Sequence, residues 1–402
     1  MQVSVGYAEH DETSTVGFEA AQQALRKSGR NDPCDLVLLF STSAHDPHRL
    51  RDAVATAVGP HAAIIGGAAI GAITNNDYGY GSDQVGLAAI WLENDVKVNL
   101  FVEGNLADNE KAVGYRLGKS MAQGGVKPET PTILLYDAIN RTKGELHLNL
   151  ATPLLQGMEE SLGFLPDNLV GAGLQGNFES SSTMQWNGPE TITQSAMMLS
   201  FSEELRIDSV IMHGCRPSGR RYEVTKAEGQ TILEVDGKPA LSYMVSQLQP
   251  SLPAEEFPFF MIFGVNRGIG NDLPDSHQYA NRLCLAIDKK RDAIVMFESD
   301  MVEGTIFQVM YRSLDLDYIP PKINALFEKQ ASRRPIFAFY IDCAGRTGGR
   351  SMELEDAIVV QEAVNNRVPL LGIYSGVEIA PLMGKPRTLD WTGVFCLFSV
   401  AK

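Results

Sequence analysis

Residues 211–241 read IMHGCRPSGRRYEVTKAEGQTILEVDGKPAL, and how this mid-chain stretch is divided into strands decides the fold. An apolar run, Ser209 to Met212, leads into Gly214, Pro217 and Gly219, which together predict a turn. Strand-like residues Tyr222 to Thr225 leave it, and a second strand, Thr231 to Val235, follows the Glu228-Gly229 break. Asp236-Gly237 then predicts a two-residue hairpin turn, because such turns demand the positive φ that glycine adopts without strain. Pro239 opens an amphipathic helix whose apolar residues Leu241, Met244, Val245 and Leu248 recur at helical spacing. The stretch therefore reads as a short antiparallel meander closed by a helix.

Outward from this junction the chain repeats itself weakly in three strand-helix-strand units. The first has a strand at Leu36 to Phe40, an Asp46-Pro47 helix start, a helix face of Leu50, Val54, Ala57 and Val58, then Ile64-Ile65-Gly66 and a closing strand from Val85. In the second the same order runs Ile133 to Tyr136, a Thr152-Pro153 helix start, Leu155, Met158 and Leu162, Leu169-Val170-Gly171, and Ser195 to Phe201. The third runs Ile336 to Ile341, then Leu354, Ala357, Ile358 and Val364, then Leu370-Leu371-Gly372 and Val394 to Val400. Aligning the ends of the first strands matches Phe40, Tyr136 and Ile341, and pairs Arg141-Thr142-Lys143-Gly144 with Arg346-Thr347-Gly348-Gly349. Residues 99–103 and 111–121 read as connectors. The pattern predicts an α/β fold of layered mixed-sheet modules in two parts, 1–220 with two units and 221–402 with the meander, the helix and the third unit.

The chain has 402 residues, 44% hydrophobic and 21% charged, enough for two or three cores of a globular protein. A net charge of −15 argues against a nucleic-acid partner, whose phosphates need clustered Lys and Arg. The longest apolar run, Ala62 to Ile73, falls short of the roughly 20 residues that span a bilayer, and the first residues carry no secretion signal. With 5 scattered cysteines and no Cys-x-x-Cys pair, reduced thiols in a cytoplasm are the expectation, with no membrane association.

Three places carry chemistry. The loop Arg346-Thr347-Gly348-Gly349-Arg350-Ser351 follows a strand and precedes a helix, so free backbone N–H groups and two arginines suit a carboxylate or phosphate. It lacks the Gly-Lys-Ser/Thr ending of a P-loop, and its arginines have Glu353 and Glu355 as alternative partners. Glu378, in Gly376-Val377-Glu378-Ile379, is a carboxylate among apolar strand residues; it either faces a ligand or needs a partner such as Arg387. His213 and Cys215 stand two apart, and in an extended segment both point to one face, where they could meet a metal or a haem iron; the alternative is a turn-capping histidine and a buried thiol. No pair has zinc-ligand spacing.

HGCRPSG followed by RRYEVTKAEGQTILEVDGKPAL resembles the start of the C-terminal module of FIST proteins (F-box and intracellular signal transduction). LVLLFSTSAHDPHRL, IIGGAAIGAIT and VGLAAIWL resemble the N-terminal module, while PLLGIYSGVEIAPLMG and TGVFCLFS resemble the family's closing segment. The resemblance implies a cytoplasmic sensory protein that binds a small ligand, with amino acids among the candidates. It carries no kinase or cyclase of its own, so the signal passes through a separate partner. An alternative the resemblance brings is a nitric-oxide sensor carrying haem b that acts on a histidine kinase or a cyclic-di-GMP enzyme. A second alternative is an enzyme that holds a small anionic substrate on the Arg346 loop. In the amino-acid reading Glu378 holds the ammonium group, and Arg346 or Arg350 the carboxylate.

Overall fold

The structure is a computed structural model, and it describes all residues except 94–95, 143, 145, 249–253, 269–277, 314 and 349–354. Unit one consists of β1 (Gln2–Glu9), α1 (Thr13–Ser28), β2 (Leu36–Ser41), α2 (Pro47–Val58), β3 (Ala63–Ala68), the hairpin β4 (Gly71–Thr74) and β5 (Tyr78–Tyr80), and β6 (Gln84–Trp91). Unit two is β7 (Val98–Glu103), α3 (Glu110–Gln123), β8 (Thr132–Asp137), a short ribbon β9 (Ile139–Asn140) and β10 (His147–Leu148), α4 (Ala151–Leu162), β11 (Leu169–Leu174), the hairpin β12 (Gln185–Asn187) and β13 (Thr191–Ile192), and β14 (Ala196–Phe201). Unit three opens with β15 (Leu205–Met212) and is interrupted by an inserted domain: β16 (Arg216–Glu228), β17 (Thr231–Val235), β18 (Lys238–Pro239), α5 (Ala240–Leu248), β19 (Ile262–Asn266), β20 (Tyr279–Asp288), β21 (Ala293–Met296) and β22 (Ile306–Tyr311). It resumes with α6 (Ile319–Lys329), β23 (Arg333–Cys343), α7 (Asp356–Val364), β24 (Leu370–Ser375), the hairpin β25 (Val377–Leu382) and β26 (Lys385–Leu389), and β27 (Gly393–Ala401).

Each unit builds four strands of one sheet and sends its hairpin into another. The sheet orders are β1-β6-β2-β3-β12-β13, β7-β14-β8-β11-β25-β26 and β15-β27-β23-β24-β4-β5, one pattern three times over. Unit one lends its hairpin to sheet three, unit three to sheet two, and unit two to sheet one, which closes a cyclic exchange. In each sheet two parallel strands (β2–β3, β8–β11, β23–β24) lie beside an antiparallel closing strand. Alternation along the strands gives every sheet two apolar faces. The inner faces share one core, where Phe40, Leu135 and Phe339 meet, and each outer face is covered by a helix pair: α1–α2, α3–α4 or α6–α7.

The apolar-apolar-Gly starts mark the same place in all three units. Gly66, Gly171 and Gly372 pair with Leu39, Leu134 and Tyr340 of the neighbouring parallel strand. That register makes Phe40 equivalent to Leu135 and Ile341, so the match to Tyr136 is one residue out of step. A slip of one turns a side chain to the other face, and Tyr136 indeed faces the helices while Phe40 and Ile341 face the shared core. Residues 99–103 and 111–121 are no connectors: they are the edge strand and first helix of unit two, counterparts of β1 and α1.

The opening stretch is where the chain crosses from sheet to insertion. β15 pairs with β27, whereas β16 belongs to a different sheet, so the expected meander lacks its first strand. Pro217 and Gly219 lie inside β16, not in a turn, because a bulge between Pro217 and Arg221, with Gly219 at φ 89°, absorbs them. Asp236 and Gly237 do form the expected turn, with φ 52° and 71°. Around the insertion the order β16-β22-β19-β20-β21-β17 returns to β16, a closed six-stranded antiparallel barrel. Tyr222, Val224, Phe263, Phe307 and Met296 fill it, with Leu241 and Met244 of α5. The boundary expected at 220/221 falls within β16. Among the described residues no helix is long and apolar enough to cross a membrane.

Candidate functional site

The carboxyl ends of β23 and β24 carry polar clusters on both faces of sheet three. On the helix side β23 runs into a single 3-10 turn, Ala344–Arg346, which folds the Arg346 side chain back beneath the strand end. Arg346 is 6% exposed; its Nε stands 3.2 Å from Asp342 Oδ1, and it forms a second ion pair with Asp356 at the start of α7. The same guanidinium donates to the Met212 carbonyl and, at 3.3 Å, to the Tyr318 hydroxyl. One arginine thereby ties β23, α7, β15 and the entry to α6. Burial pushes the Asp342 carboxyl up to about 6, with Arg346 pulling the other way. Beside it Thr347 Oγ1 donates to the Ala344 carbonyl at 3.1 Å, and the Gly348 N–H donates to Glu355 at 2.7 Å, a carboxylate that also accepts from Tyr80 at 2.6 Å. Gly349, Arg350 and Ser351 lie outside the described residues.

The Met212 contact brings the Arg346 loop against the His213-Cys215 turn, two places that the sequence kept apart. Inside the turn the Cys215 N–H donates to His213 Nδ1 at 3.0 Å, and Cys215 Sγ donates to the His213 carbonyl at 3.3 Å. Gly214, at φ 61°, sits where a Cβ would come 2.6 Å from the Tyr318 ring. His213 is 4% exposed, and Cys215 packs among Ile262, Tyr279, Leu283, Met310 and Trp391. Both side chains are thus enclosed, with the Cys215 thiol and His213 Nδ1 engaged within their own turn.

On the core side stands Glu378. β25 places it opposite Ala172 of β11, fully buried. Ser375 Oγ donates to its Oε1 at 3.0 Å, and Oε2 has no hydrogen-bond partner among the described residues. Burial raises this carboxyl well above its ordinary range, and Asp342 and Asp390 raise it further. Burial and Glu378 together raise the Cys343 thiol. Arg387, the alternative partner, turns instead to the Leu382 carbonyl.

A third cluster lies where the barrel meets the core. Glu298 of the barrel accepts the backbone N–H groups of Ala151 at 3.1 Å and Thr152 at 3.0 Å, capping α4. The helix starts at Ala151 with no side-chain cap of its own, not at Thr152-Pro153 as expected, because the cap comes from elsewhere in the chain. Arg282, completely buried, donates to both oxygens of Asp300 at 2.5 Å and to Thr388, while Asp390 accepts the Leu283 N–H at 2.8 Å. Burial alone would raise Asp300, but Arg282 and Arg267 outweigh it and hold the carboxyl low. At Glu298 and Asp390 burial outweighs the pull of Arg282 and pushes the carboxyls up to about 7 and about 6. The test that singled out Glu378, a lone acid within apolar strand sequence, would also have found Asp342 in Tyr340-Ile341-Asp342-Cys343, but not Glu298 or Asp390, which lie just beyond strand ends.

Residues 35–238 match the FIST N domain, and residues 240–381 match the FIST C domain. The uncharacterized protein Rv0628c of Mycobacterium tuberculosis (strain ATCC 25618 / H37Rv) is 25% identical over 419 residues, covering 99% of this chain and 100% of its own. The uncharacterized protein Mb0898c of Mycobacterium bovis (strain ATCC BAA-935 / AF2122/97) is 27% identical over 277 residues, 64% of this chain and 69% of its own. Since the two domain matches run from the start of β2 almost to the end of β25, the chain belongs to the FIST family.

Proposed function

We propose that this protein senses a small ligand bearing an ammonium group, an amino acid among the candidates, which binds at Glu378, and that it signals through a separate partner protein. The observation that supports the reading is the state of Glu378: a fully buried carboxyl with one oxygen lacking a partner among the described residues. A buried carboxylate without a partner costs several kcal/mol, so the group either keeps a proton or takes a cation. Asp342 and Asp390 add negative charge around it, which disfavours an anionic guest and favours a cationic one. In the zwitterion version the ligand carboxylate would be held by Arg346, Thr347 and Gly348. Since Arg346 is already held by Asp342 and Asp356, that carboxylate would take the place of one of them. The partner would be of the histidine kinase or cyclic-di-GMP enzyme class.

Calorimetric titration with single amino acids and with simple amines tests this. A charge-assisted hydrogen bond is worth roughly 1.5–3 kcal/mol, so Glu378→Gln should bind about 10- to 150-fold more weakly. Equal affinity in parent and variant removes Glu378 from the site. The haem-based alternative has its own readout: a Soret band in haem-reconstituted protein that His213→Ala or Cys215→Ala abolishes would displace the amine reading.

A further inference from the structure

The face that the barrel turns toward the core holds two buried amides. Directly paired residues of neighbouring strands point the same way, so Ile262 and Gly264 of β19 share this face with Tyr279, Asn281 and Leu283 of β20 and with Gln308 and Met310 of β22. Ile262, Tyr279, Leu283 and Met310 pack there with Cys215 and Trp391, an apolar cluster between barrel and core. Across it Asn281, Gly264, Gln308 and Arg221 form a row over four adjacent strands. The row runs from completely buried Asn281 through Gln308, 2% exposed, to exposed Arg221, where it reaches solvent. Gln308 Oε1 accepts the Tyr279 hydroxyl at 2.7 Å. Gln308 Nε2, Asn281 Nδ2 and Asn281 Oδ1 have no hydrogen-bond partner among the described residues. Between the two amides Gly264 has no side chain, and the Met310 thioether lies over it: a Cβ there would come 2.2 Å from Met310 Sδ.

We propose that this row is a second ligand site, at Asn281 and Gln308, which takes an uncharged group bearing both a hydrogen-bond donor and an acceptor, such as a carboxamide or a lactam. The site goes beyond the amine reading at Glu378 and does not depend on it. Buried amides are almost always paired, because leaving one unpaired costs free energy, and here three polar atoms on two neighbouring side chains lack partners together. Asn281 presents a donor and an acceptor side by side, which a second amide matches with two bonds, and Gln308 Nε2 adds a donor for the guest's carbonyl. The residues of β19, β20 and β22 named on this face are uncharged, so a charged guest would lose its hydration without gaining a counter-charge. Apolar walls with a few converging polar groups, set at a domain boundary, are the usual make-up of a small-molecule site. Met310 is the group that gives way, since a flexible thioether adapts its shape at little cost.

Ligand-detected NMR on the full chain with nicotinamide, uracil and acetamide at millimolar concentration tests the site. At least one probe should bind, and Asn281→Leu, which removes both polar atoms at similar size, should weaken it about 5- to 150-fold, the worth of two neutral hydrogen bonds. Met310→Phe sets a stiffer side chain over Gly264 with both amides intact, and it should exclude the same probe. Nicotinate, the same ring with a charged carboxylate, should show no binding that Asn281→Leu weakens. In urea unfolding without a probe, Asn281→Leu should be at least as stable as the parent, since it no longer buries an unpaired amide. Three outcomes overturn the proposal: none of the three probes binds, binding is equal in the parent and both variants, or Asn281→Leu unfolds at lower urea than the parent, which would assign the amide to the fold.

Discussion

Arg282 Nη1 donates to the Thr388 carbonyl at 3.0 Å while Nη2 donates to the hydroxyl of that same residue at 3.1 Å, so one guanidinium from the barrel grips one residue of a core hairpin. The arginine is completely buried and its charge is balanced by Asp300. Removing one partner of such a pair leaves an uncompensated buried charge, at a cost of about 3–5 kcal/mol. Arg282→Met should lower stability by that amount in urea unfolding. Arg282→Lys keeps the charge but loses the fork, and should fall between parent and Met. A loss under about 1 kcal/mol for Arg282→Met would show that the grip contributes little.

Buried acids make stability depend on pH. Burial raises Asp342 and Asp390 from 3.8 to about 6, Glu298 from 4.5 to about 7, and Glu378 well above 4.5. A carboxyl whose pKa is higher in the folded state binds its proton more tightly there. Its contribution is full below the unfolded value and disappears as pH rises through the folded one. The thermal midpoint should therefore fall as pH goes from about 4 to about 7. Glu378→Gln removes one titrating group and should flatten the fall; a curve parallel to the parent's would mean that Glu378 does not titrate in this window.

The repeat glycines differ in the room they leave. A Cβ on Gly66 would lie 1.9 Å from the Leu39 carbonyl oxygen and on Gly171 2.4 Å from that of Leu134, while on Gly372 its nearest neighbour is Ile73 Cβ at 3.0 Å. Overpacking of this kind costs roughly 1–3 kcal/mol. Gly66→Ala should be the most destabilising, since its φ of 148° adds strain, followed by Gly171→Ala and then Gly372→Ala. Denaturant midpoints in any other order would contradict the register.

Arg141 and Arg346, matched in sequence, should respond unequally. Arg141 donates to the carbonyls of Ser180 and Glu179, bonds worth about 1 kcal/mol each. Arg346 balances Asp342 and Asp356 in the interior, and Arg346→Ala should cost about 3–5 kcal/mol where Arg141→Ala costs about 1–2. Thermal melts of the two variants suffice to separate them.

The sequence alone determined that there are three α/β units, because apolar alternation, the Asp46-Pro47 start and the apolar-apolar-Gly starts are local signals read within a few residues. It also pointed to Glu378, an acid that stands out against apolar neighbours. Only the tertiary structure decided which sheet each hairpin joins, since β4, β12 and β25 are short strands with apolar faces that match any of three similar edges. It alone closed the barrel, through the pairing of β16 with β17 and β22. It decided, too, that Arg346 would reach Met212 and that Glu298 would cap α4, contacts between residues 134 and 147 positions apart. Buried charge has no local signature in sequence; its partner is whatever the fold brings within hydrogen-bond distance, and that is a property of the packed chain.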